Sequence, residues 1–208
     1  MKTVVVDPER CIGCLQCEFA CAVQHSTTRD VLLALVEQPP PRRRVHVEAG
    51  PRAGTSFPNK CRHCDPAPCQ LVCPTGAIHR DHDHDAVLID PSRCIACAMC
   101  AMVCPFDVIG YHAMGDRSAG RTVAVKCDAC IDRLWAGHVP ACVEACKTGA
   151  LTFADPNDVA AAGRRRVTAA VLAATTTEPP GPVAAETVGA WRVIGEATAV
   201  AGLPGGAR

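Results

Sequence analysis

Cysteine is the residue type in this chain whose number and spacing most clearly predict chemistry. The sequence has sixteen cysteines among 208 residues, and every one of them falls into one of four groups of four. Closely spaced thiolates bind soft metal ions and clusters, so the pattern indicates metal chemistry. The four groups, in chain order, are Cys11, Cys14, Cys17, Cys21; Cys61, Cys64, Cys69, Cys73; Cys94, Cys97, Cys100, Cys104; and Cys127, Cys130, Cys142, Cys146.

The spacing within the groups indicates iron–sulfur clusters. The third group reads C-I-A-C-A-M-C-A-M-V-C-P, a run in which three thiolates hold one [4Fe–4S] cluster and the fourth ligates a neighbouring cluster. The first group has the same spacing without the proline. Two-residue gaps let the chain curl around one cluster, whereas the three-residue gap carries the fourth sulfur one helical turn away. Sixteen thiolates match four [4Fe–4S] clusters with four ligands each.

Disulfides and structural zinc are the other uses that this many cysteines could serve. Disulfides need an oxidising compartment, and the first motif follows Met1 so closely that we expect no signal peptide or twin-arginine leader. Zinc sites usually combine two separated C-x2-C pairs, or cysteine with histidine. Two C-x2-C-x2-C-x3-C runs do not fit that rule, so we expect iron–sulfur clusters in a cytoplasmic protein.

Composition excludes several function classes. The formal net charge is zero and the basic runs are short arginine triplets at 42–44 and 164–166, so we expect no nucleic-acid partner and solvated arginines. No apolar stretch approaches the length of a membrane span. Aromatic residues make up 3% of the chain. A conventional core is therefore thin, and we expect folding to be coupled to cluster assembly.

An internal repeat predicts the fold class. Residues 4–14 match residues 87–97, and residues 73–78 match residues 146–151. The order is A-B-A′-B′, where an A segment is a β-branched strand, an Asp-Pro turn and a cysteine loop. A B segment is a cysteine loop, a Thr-Gly turn and a strand. We expect an α+β fold of duplicated bacterial-ferredoxin-like modules, wrapped on clusters with little regular core.

The domain boundaries follow from the extent of this repeat. We expect a four-cluster domain over residues 1–153, with an insertion at residues 22–59 that we interpret as an excursion and loop. Residues 154–208 form a tail rich in Ala, Pro and Gly, in which a helix is predicted over residues 158–174.

Histidines near the cysteine groups have two interpretations. His79, His82 and His84 alternate with aspartates and could bind a metal, but turn composition favours the solvated tip of a hairpin. His63 lies inside the second group, where we expect it to hydrogen-bond a sulfur or face solvent.

A basic residue directly precedes the first cysteine of every group. Such a position can be ordinary solvated surface, or its charge can offset the negative charge of a thiolate-ligated cluster and so affect the reduction potential. The four residues are Arg10, Lys60, Arg93 and Lys126.

With four groups in this order, residues 1–153 resemble the four-cluster, ferredoxin-like electron-transfer subunits of the dimethyl sulfoxide reductase and formate dehydrogenase type. The opening at residues 6–18 is most similar to the ferredoxins associated with carbon monoxide dehydrogenase and aldehyde oxidoreductase. Lys147 stands where the family usually has proline, which weakens a close match to the respiratory reductase subunits.

The resemblance also implies how the groups pair. Groups one and four would share two clusters, and groups two and three the other two. A simple duplication would instead pair one with two and three with four, and spacing alone does not decide. The implied ligand sets are Cys11, Cys14, Cys17, Cys146 (set 1); Cys61, Cys64, Cys69, Cys104 (set 2); Cys94, Cys97, Cys100, Cys73 (set 3); and Cys127, Cys130, Cys142, Cys21 (set 4).

The function that the resemblance implies is outer-sphere electron transfer, without catalysis by this chain. One hypothesis is a dedicated subunit that carries single electrons between an acceptor protein and a large catalytic subunit with a molybdenum or tungsten pterin or nickel centre. The other is a free-standing polyferredoxin that shuttles electrons among several enzymes.

Overall fold

Short helices and strands alternate along the chain, so the fold is of the α+β class. The structure, a computed structural model, describes residues 2–113 and 120–175. The chain divides into two units, Met1–Asp158 and Val159–Arg208. The strands are β1 (Thr3–Val6), β2 (Val45–Ala49), β3 (Ser56–Lys60), β4 (Ile78–Asp81), β5 (Ala86–Ile89), β6 (Gly110–Ala113), β7 (Thr122–Val125) and β8 (Leu151–Ala154). The helices are α1 (Gln16–Gln24), α2 (Val31–Ala34), α3 (Pro68–Leu71), α4 (Met99–Met102), α5 (Ile131–Trp135), α6 (Ala141–Glu144) and α7 (Pro156–Thr175).

The described strands form four separate two-stranded antiparallel ribbons. They pair as β1 with β8, β2 with β3, β4 with β5, and β6 with β7. The first of these joins the two ends of the first unit, with Val4 opposite Phe153. The other three are hairpins between strands that are consecutive in sequence.

Matching hydrogen bonds fix the two ribbons that carry the repeat. The Asp7 N–H donates to the Ala150 carbonyl at 2.8 Å, and the Asp90 N–H donates to the Ala77 carbonyl at 2.8 Å. Ribbon β1–β8 therefore ties segment A to B′, and ribbon β4–β5 ties B to A′. These pairings bring the first cysteine group beside the fourth and the second beside the third.

The β4–β5 hairpin confirms the interpretation of the histidine-rich stretch. Ile78 pairs with Ile89 and Asp81 pairs with Ala86, which leaves residues 82–85 as the turn. His84 closes the turn, since its backbone N–H donates to the Asp81 carboxylate at 2.9 Å.

The insertion at residues 22–59 is more regular than the sequence predicted. It contains α2 and most of a hairpin with five-residue strands, in which Val47 of β2 lies opposite Pro58 of β3. The excursion-and-loop interpretation is wrong for this hairpin. Proline lacks the N–H that a strand interior donates, but an edge position such as that of Pro58 tolerates it.

The core of the first unit is thin and rich in sulfur. Twenty-four apolar residues are buried in the described part of the chain, and eight of them are cysteines. The others are alanine and aliphatic residues from the ribbons and helices, such as Val45, Val87 and Val123. Strands of four or five residues cannot hold a fold by regular packing alone, so the cysteine side chains occupy the centre.

Helix α7 runs over Pro156–Thr175, where the sequence predicted a helix over residues 158–174, and it buries none of its residues. The rest of the tail lies outside the described residues, and the domain boundary at residue 153 stays a prediction. Among residues 2–113 and 120–175, no helix combines the length and apolar character needed to cross a bilayer.

Candidate iron–sulfur sites

Left-handed backbone turns shape the cysteine loops. In the first loop Gly13 and Leu15 have φ of 69° and 60°, and in the third loop Ala96 and Ala98 have φ of 54° and 64°. Side chains other than glycine rarely adopt this conformation, and it recurs at functional sites, where surrounding structure holds it. Both loops are therefore curled at equivalent positions, with a residue between successive cysteines turned the unusual way.

None of the sixteen cysteines forms a disulfide bond. The cysteines of set 2 line a single cleft of about 350 Å³ together with Lys126 and Phe106. Cys61 and Cys64 come from the loop after β3, Cys69 from α3, and Cys104 from the segment after α4. Burial raises the pKa of the Cys69 thiol, the Lys126 ammonium lowers it, and Cys61 and Cys104 raise it further. Thiols that affect one another in this way lie close enough to share one metal centre.

The cysteines of set 3 line a second cleft, of about 330 Å³. The Ala124 N–H donates to the Cys94 sulfur at 3.3 Å. The Tyr111 hydroxyl lies 3.2 Å from the Cys100 sulfur. Cys97 is exposed, so this site opens to the surface on one side.

All four cysteines of set 4 are buried. Burial, together with the nearby Cys127 and Cys130, raises the pKa of the Cys21 thiol to about 12. The same three cysteines raise the pKa of Cys142 well above its usual value, again after burial. Cys21 lies more than a hundred residues from the other three in sequence, and α1 and α6 bring it to them.

Set 1 is the least enclosed group of thiols. Burial, together with the nearby Cys146 sulfur, raises the pKa of the Cys17 thiol to about 11. The Leu151 N–H donates to the Cys146 sulfur at 3.3 Å. Cys14 is exposed, so this site also reaches the surface.

The surroundings of Cys73 and Cys146 show whether these cysteines are suited to bind iron–sulfur clusters. Burial alone would raise the pKa of Cys73 and of Cys146, but hydrogen bonds from the Thr-Gly turn and the strand after it lower both. The donors include the side chains of Thr75 and Thr148, each 3.7 Å from its sulfur. Converging donors stabilise a thiolate, and thiolates are the ligands of iron–sulfur clusters. The residues therefore fit the group.

An ion-pair network surrounds Cys21, and no sequence pattern predicted it. The Arg44 N–H donates to the Cys21 sulfur at 3.2 Å, and the Arg44 guanidinium pairs with Asp128 at 2.5 Å. His25 adds a second contact to Asp128 at 3.0 Å. The prediction that residues 42–44 are solvated is wrong for Arg44. A basic triplet does not reveal which member has a distant carboxylate to pair with.

The four basic residues before the cysteine groups differ in environment. Arg10 and Arg93 are exposed and pack over the Thr-Gly turns of the opposite segment, near Gly149 and Gly76, where an added Cβ would lie 3.2 and 3.1 Å from the guanidinium. The lysines are buried, with Lys60 1% exposed and Lys126 4% exposed. Solvated surface is therefore the wrong interpretation for the lysines.

The His63 side chain does not face solvent, and its bond to a sulfur stays a prediction. Its Nδ1 atom accepts a hydrogen bond from the Val87 N–H at 3.0 Å, and its buried Nε2 atom has no hydrogen-bond partner among the described residues. The contact with sulfur comes from the His63 backbone, whose N–H donates to Cys61 at 3.4 Å. The His63 backbone has a positive φ of 50°, and its side chain lines the cleft of the set 2 cysteines.

Comparison with known proteins supports iron–sulfur clusters as the cofactors of this chain. Residues 53–156 match the 4Fe-4S dicluster domain family, and residues 4–21 match the 4Fe-4S binding domain. The chain is 40% identical to an iron-sulfur protein of Rhodospirillum rubrum, over 73% of this chain and 81% of that protein. It is 37% identical to the electron transport protein HydN of Escherichia coli, over 75% of this chain and 89% of that protein.

A third relative is a subunit of the tetrathionate reductase of Salmonella typhimurium, at 34% identity over 74% of this chain and 58% of that relative. The chain belongs to the 4Fe-4S dicluster domain family of iron–sulfur proteins. Its cofactors are [4Fe–4S] clusters, and its relatives are named as electron-transport proteins and reductase subunits.

Proposed function

We propose that this protein is the electron-transfer subunit of an oxidoreductase complex. It holds four [4Fe–4S] clusters, one in each of sets 1 to 4, and passes single electrons between a large catalytic subunit and an acceptor protein. Two relatives support a catalytic partner, since one is named as a subunit of tetrathionate reductase and the other as a thiosulfate reductase electron transfer subunit, PhsB. The partner class expected is a molybdenum or tungsten pterin enzyme or a nickel enzyme, and the cytoplasmic location stays a prediction.

The observation that carries the proposal is that short helices link neighbouring cysteine sets. Helix α1 carries Cys17 of set 1 and Cys21 of set 4, four residues apart on one side of the helix. Cys142 and Cys146 join the same two sets at α6. Sets 2 and 3 are linked in the same way, by Cys69 and Cys73 at α3 and by Cys100 and Cys104 at α4. One turn of helix spans about 5 Å, so each pair of sets lies within short range for electron transfer.

A third link joins sets 1 and 4, which form one half of the molecule, to sets 2 and 3, which form the other half, so that the four sets form one row. Cys61 of set 2 and Cys127 of set 4 pack in one buried cluster with Val108. The order along the row is then set 1, set 4, set 2, set 3. A linear order of redox centres fits a protein that carries electrons from one partner to another.

The two ends of the row are the surfaces where electrons enter and leave. Cys14 of set 1 and Cys97 of set 3 are the exposed cysteines of the chain. Apolar side chains flank both, with Ile12 69% exposed beside the first and Ile95 62% exposed beside the second. Exposed apolar side chains beside a redox centre suit a protein interface.

The bound clusters supply reversible one-electron oxidation and reduction. The chain contributes the thiolates, the N–H and O–H donors that stabilise charge on sulfur, and the buried environment that excludes water. These features control reduction potential and do not bind a substrate, so bond chemistry belongs to the partner subunit.

Anaerobic purification from the native source tests the proposal. We expect about sixteen iron and sixteen sulfide per chain, four of each per cluster, and a stoichiometric large subunit. Stoichiometric zinc with little iron would contradict the cluster assignment. A persistent monomer with full iron content would favour the free-standing polyferredoxin instead.

A further inference from the structure

Two buried lysines lie at the centre of the row of cysteine sets. Lys60 and Lys126 stand at the ends of β3 and β7 and directly precede Cys61 and Cys127. Each ammonium donates to the carbonyl of the next residue, at 3.1 Å in both cases. Lys126 also donates to the Val87 carbonyl. The two lysines therefore have equivalent positions in the two halves.

Neither ammonium forms an ion pair with a carboxylate among residues 2–113 and 120–175. Lysine is almost never fully buried unless it is paired, and an unpaired buried charge is strongly destabilising. Carbonyl acceptors alone do not offset that cost. Negative charge must come from another source, and the thiolates of sets 2 and 4 could supply it, since Lys60 and Lys126 directly precede Cys61 and Cys127.

Each lysine directly precedes a cysteine of one inner set, but its side chain lines a cleft beside the other inner set. Lys126 follows β7 and precedes Cys127 of set 4, yet it lines the cleft formed by the cysteines of set 2. Lys60 precedes Cys61 of set 2, yet it lines a cavity together with Ala129 and Leu134, which lie on either side of Cys130 of set 4 in the sequence. Each ammonium is thus hydrogen-bonded to the first cysteine of its own group, while the lysine side chain also lies beside the other inner set.

His63 lies beside both lysines. It lines the cleft of the set 2 cysteines together with Lys126, and it lines a second cavity together with Lys60. Both lysines therefore lie near the same imidazole. In the other half Ala129 takes the position equivalent to His63, two residues after Cys127.

We infer that Lys60 and Lys126 are a crossed pair of potential-setting cations for the two inner clusters. Lys60 makes the cluster of set 4 easier to reduce, and Lys126 does the same for the cluster of set 2. A fixed positive charge stabilises the more negative, reduced form of a nearby cluster. This inference depends on the proposed function, because it requires clusters in sets 2 and 4.

Charge-removing variants of the full-length protein test the inference. Lys60→Gln and Lys126→Gln would be purified anaerobically, assayed for iron and sulfide, and titrated for reduction potential with detection by electron paramagnetic resonance. Arg10→Gln and Arg93→Gln are matched controls, since these residues occupy the same position in the other two groups but are exposed. Cysteine-to-serine variants in sets 2 and 4 assign each signal to its cluster.

We expect the midpoint potential of the set 4 cluster to shift to a more negative value in Lys60→Gln, and that of set 2 to do so in Lys126→Gln. The arginine controls should leave both inner clusters unchanged. If Lys60→Gln instead shifted the midpoint potential of the set 2 cluster, the crossed assignment of lysines to clusters would be wrong. Unchanged potentials in fully loaded variants would overturn the inference while leaving the proposed function intact, whereas wild-type protein without clusters would remove the proposed function itself.

Two further substitutions at Lys60 and Lys126 keep the inference testable if the Gln variants fail to bind clusters. Lys→Met keeps the length of the side chain without its charge, and Lys→Arg keeps the charge. If both neutral variants fail to load iron while Lys→Arg loads with potentials near those of the wild type, the requirement for charge is supported. If Lys→Arg also fails to load, the lysines act through shape and hydrogen bonding, and the inference is wrong.

Discussion

The hydroxyl of Tyr111 lies 3.2 Å from the sulfur of Cys100, across a strand and a helix that are separate in sequence. Tyr111 is the one tyrosine in the sequence, and it belongs to β6, whereas Cys100 lies in α4. Burial raises the pKa of this tyrosine, and the Cys100 sulfur raises it further. The hydroxyl therefore keeps its proton and can donate to a thiolate.

Tyr111→Phe should lower the reduction potential of the cluster in set 3. The substitution removes one O–H donor to sulfur and changes little else in packing, and hydrogen bonds to sulfur are a control on cluster potential. A redox titration followed by electron paramagnetic resonance would measure the shift. The other three clusters serve as internal controls, and an equal shift in all four would show a general structural effect.

Cys21→Ser tests the nested pairing of the groups. The variant should disturb the cluster at Cys127, Cys130 and Cys142, and leave the one at Cys11, Cys14 and Cys17 largely intact. It should also destabilise the first unit, because the lost ligand ties the first segment to the last one. Iron content and cluster-specific spectra before and after mild heating would measure both effects.

Cys104→Ser is the matched variant in the other half, and it should disturb the cluster of set 2 while sparing set 3. If Cys21→Ser instead removes a cluster anchored by Cys61, Cys64 and Cys69, the groups pair in simple tandem order. That result would contradict the ligand sets proposed above.

Asp128→Asn should weaken the first unit measurably. Its carboxylate is part-buried and binds both Arg44 and His25, and a hydrogen bond to a charged group contributes about 2 kcal/mol. Asp132→Asn is the control, because its pair with Arg29 is exposed at both ends and such pairs contribute less than about 1 kcal/mol. Loss of cluster absorption in denaturant would compare the two, and equal effects would contradict a special role for Asp128.

Iron removal should unfold the first unit. A third of its buried apolar residues are cysteines, and alanine supplies many of the others, so little hydrophobic burial remains without clusters. Chelation under reducing conditions should abolish most of the far-ultraviolet circular dichroism of β1–β8 and α1–α6. Retention of the native spectrum in iron-free protein would show that the chain holds its fold by packing alone.

Much of the fold near the cysteine groups was predictable from local sequence. The β-branched run before Asp7 and its counterpart before Asp90 become β1 and β5, and the Thr-Gly turns lead into β4 and β8. These features depend on neighbouring residues, which is why spacing and repeat reveal them. The choice between nested and tandem pairing is different, because it depends on contacts between segments far apart in sequence.

The environments of Lys60, Arg44 and His63 could not be predicted for the same reason, since they also depend on contacts between distant segments. Lys60 and Arg10 occupy equivalent positions in the sequence, yet one is buried and the other is exposed. Arg44 finds its partner Asp128 only after the chain has folded, and His63 finds Val87 in the same way. Single-residue environments of this kind depend on tertiary contacts that no local pattern encodes.

The pairing of β1 with β8 has a consequence for synthesis on the ribosome. Translation proceeds from the N-terminus at about 5 to 20 residues per second, so roughly 7 to 30 s separate the emergence of β1 from that of its partner strand. During this interval the nascent chain already carries Cys11, Cys14 and Cys17, while Cys146 has not yet been made. The segment that leaves the ribosome first is therefore completed last, and its thiols need protection from oxidation until the final strand arrives.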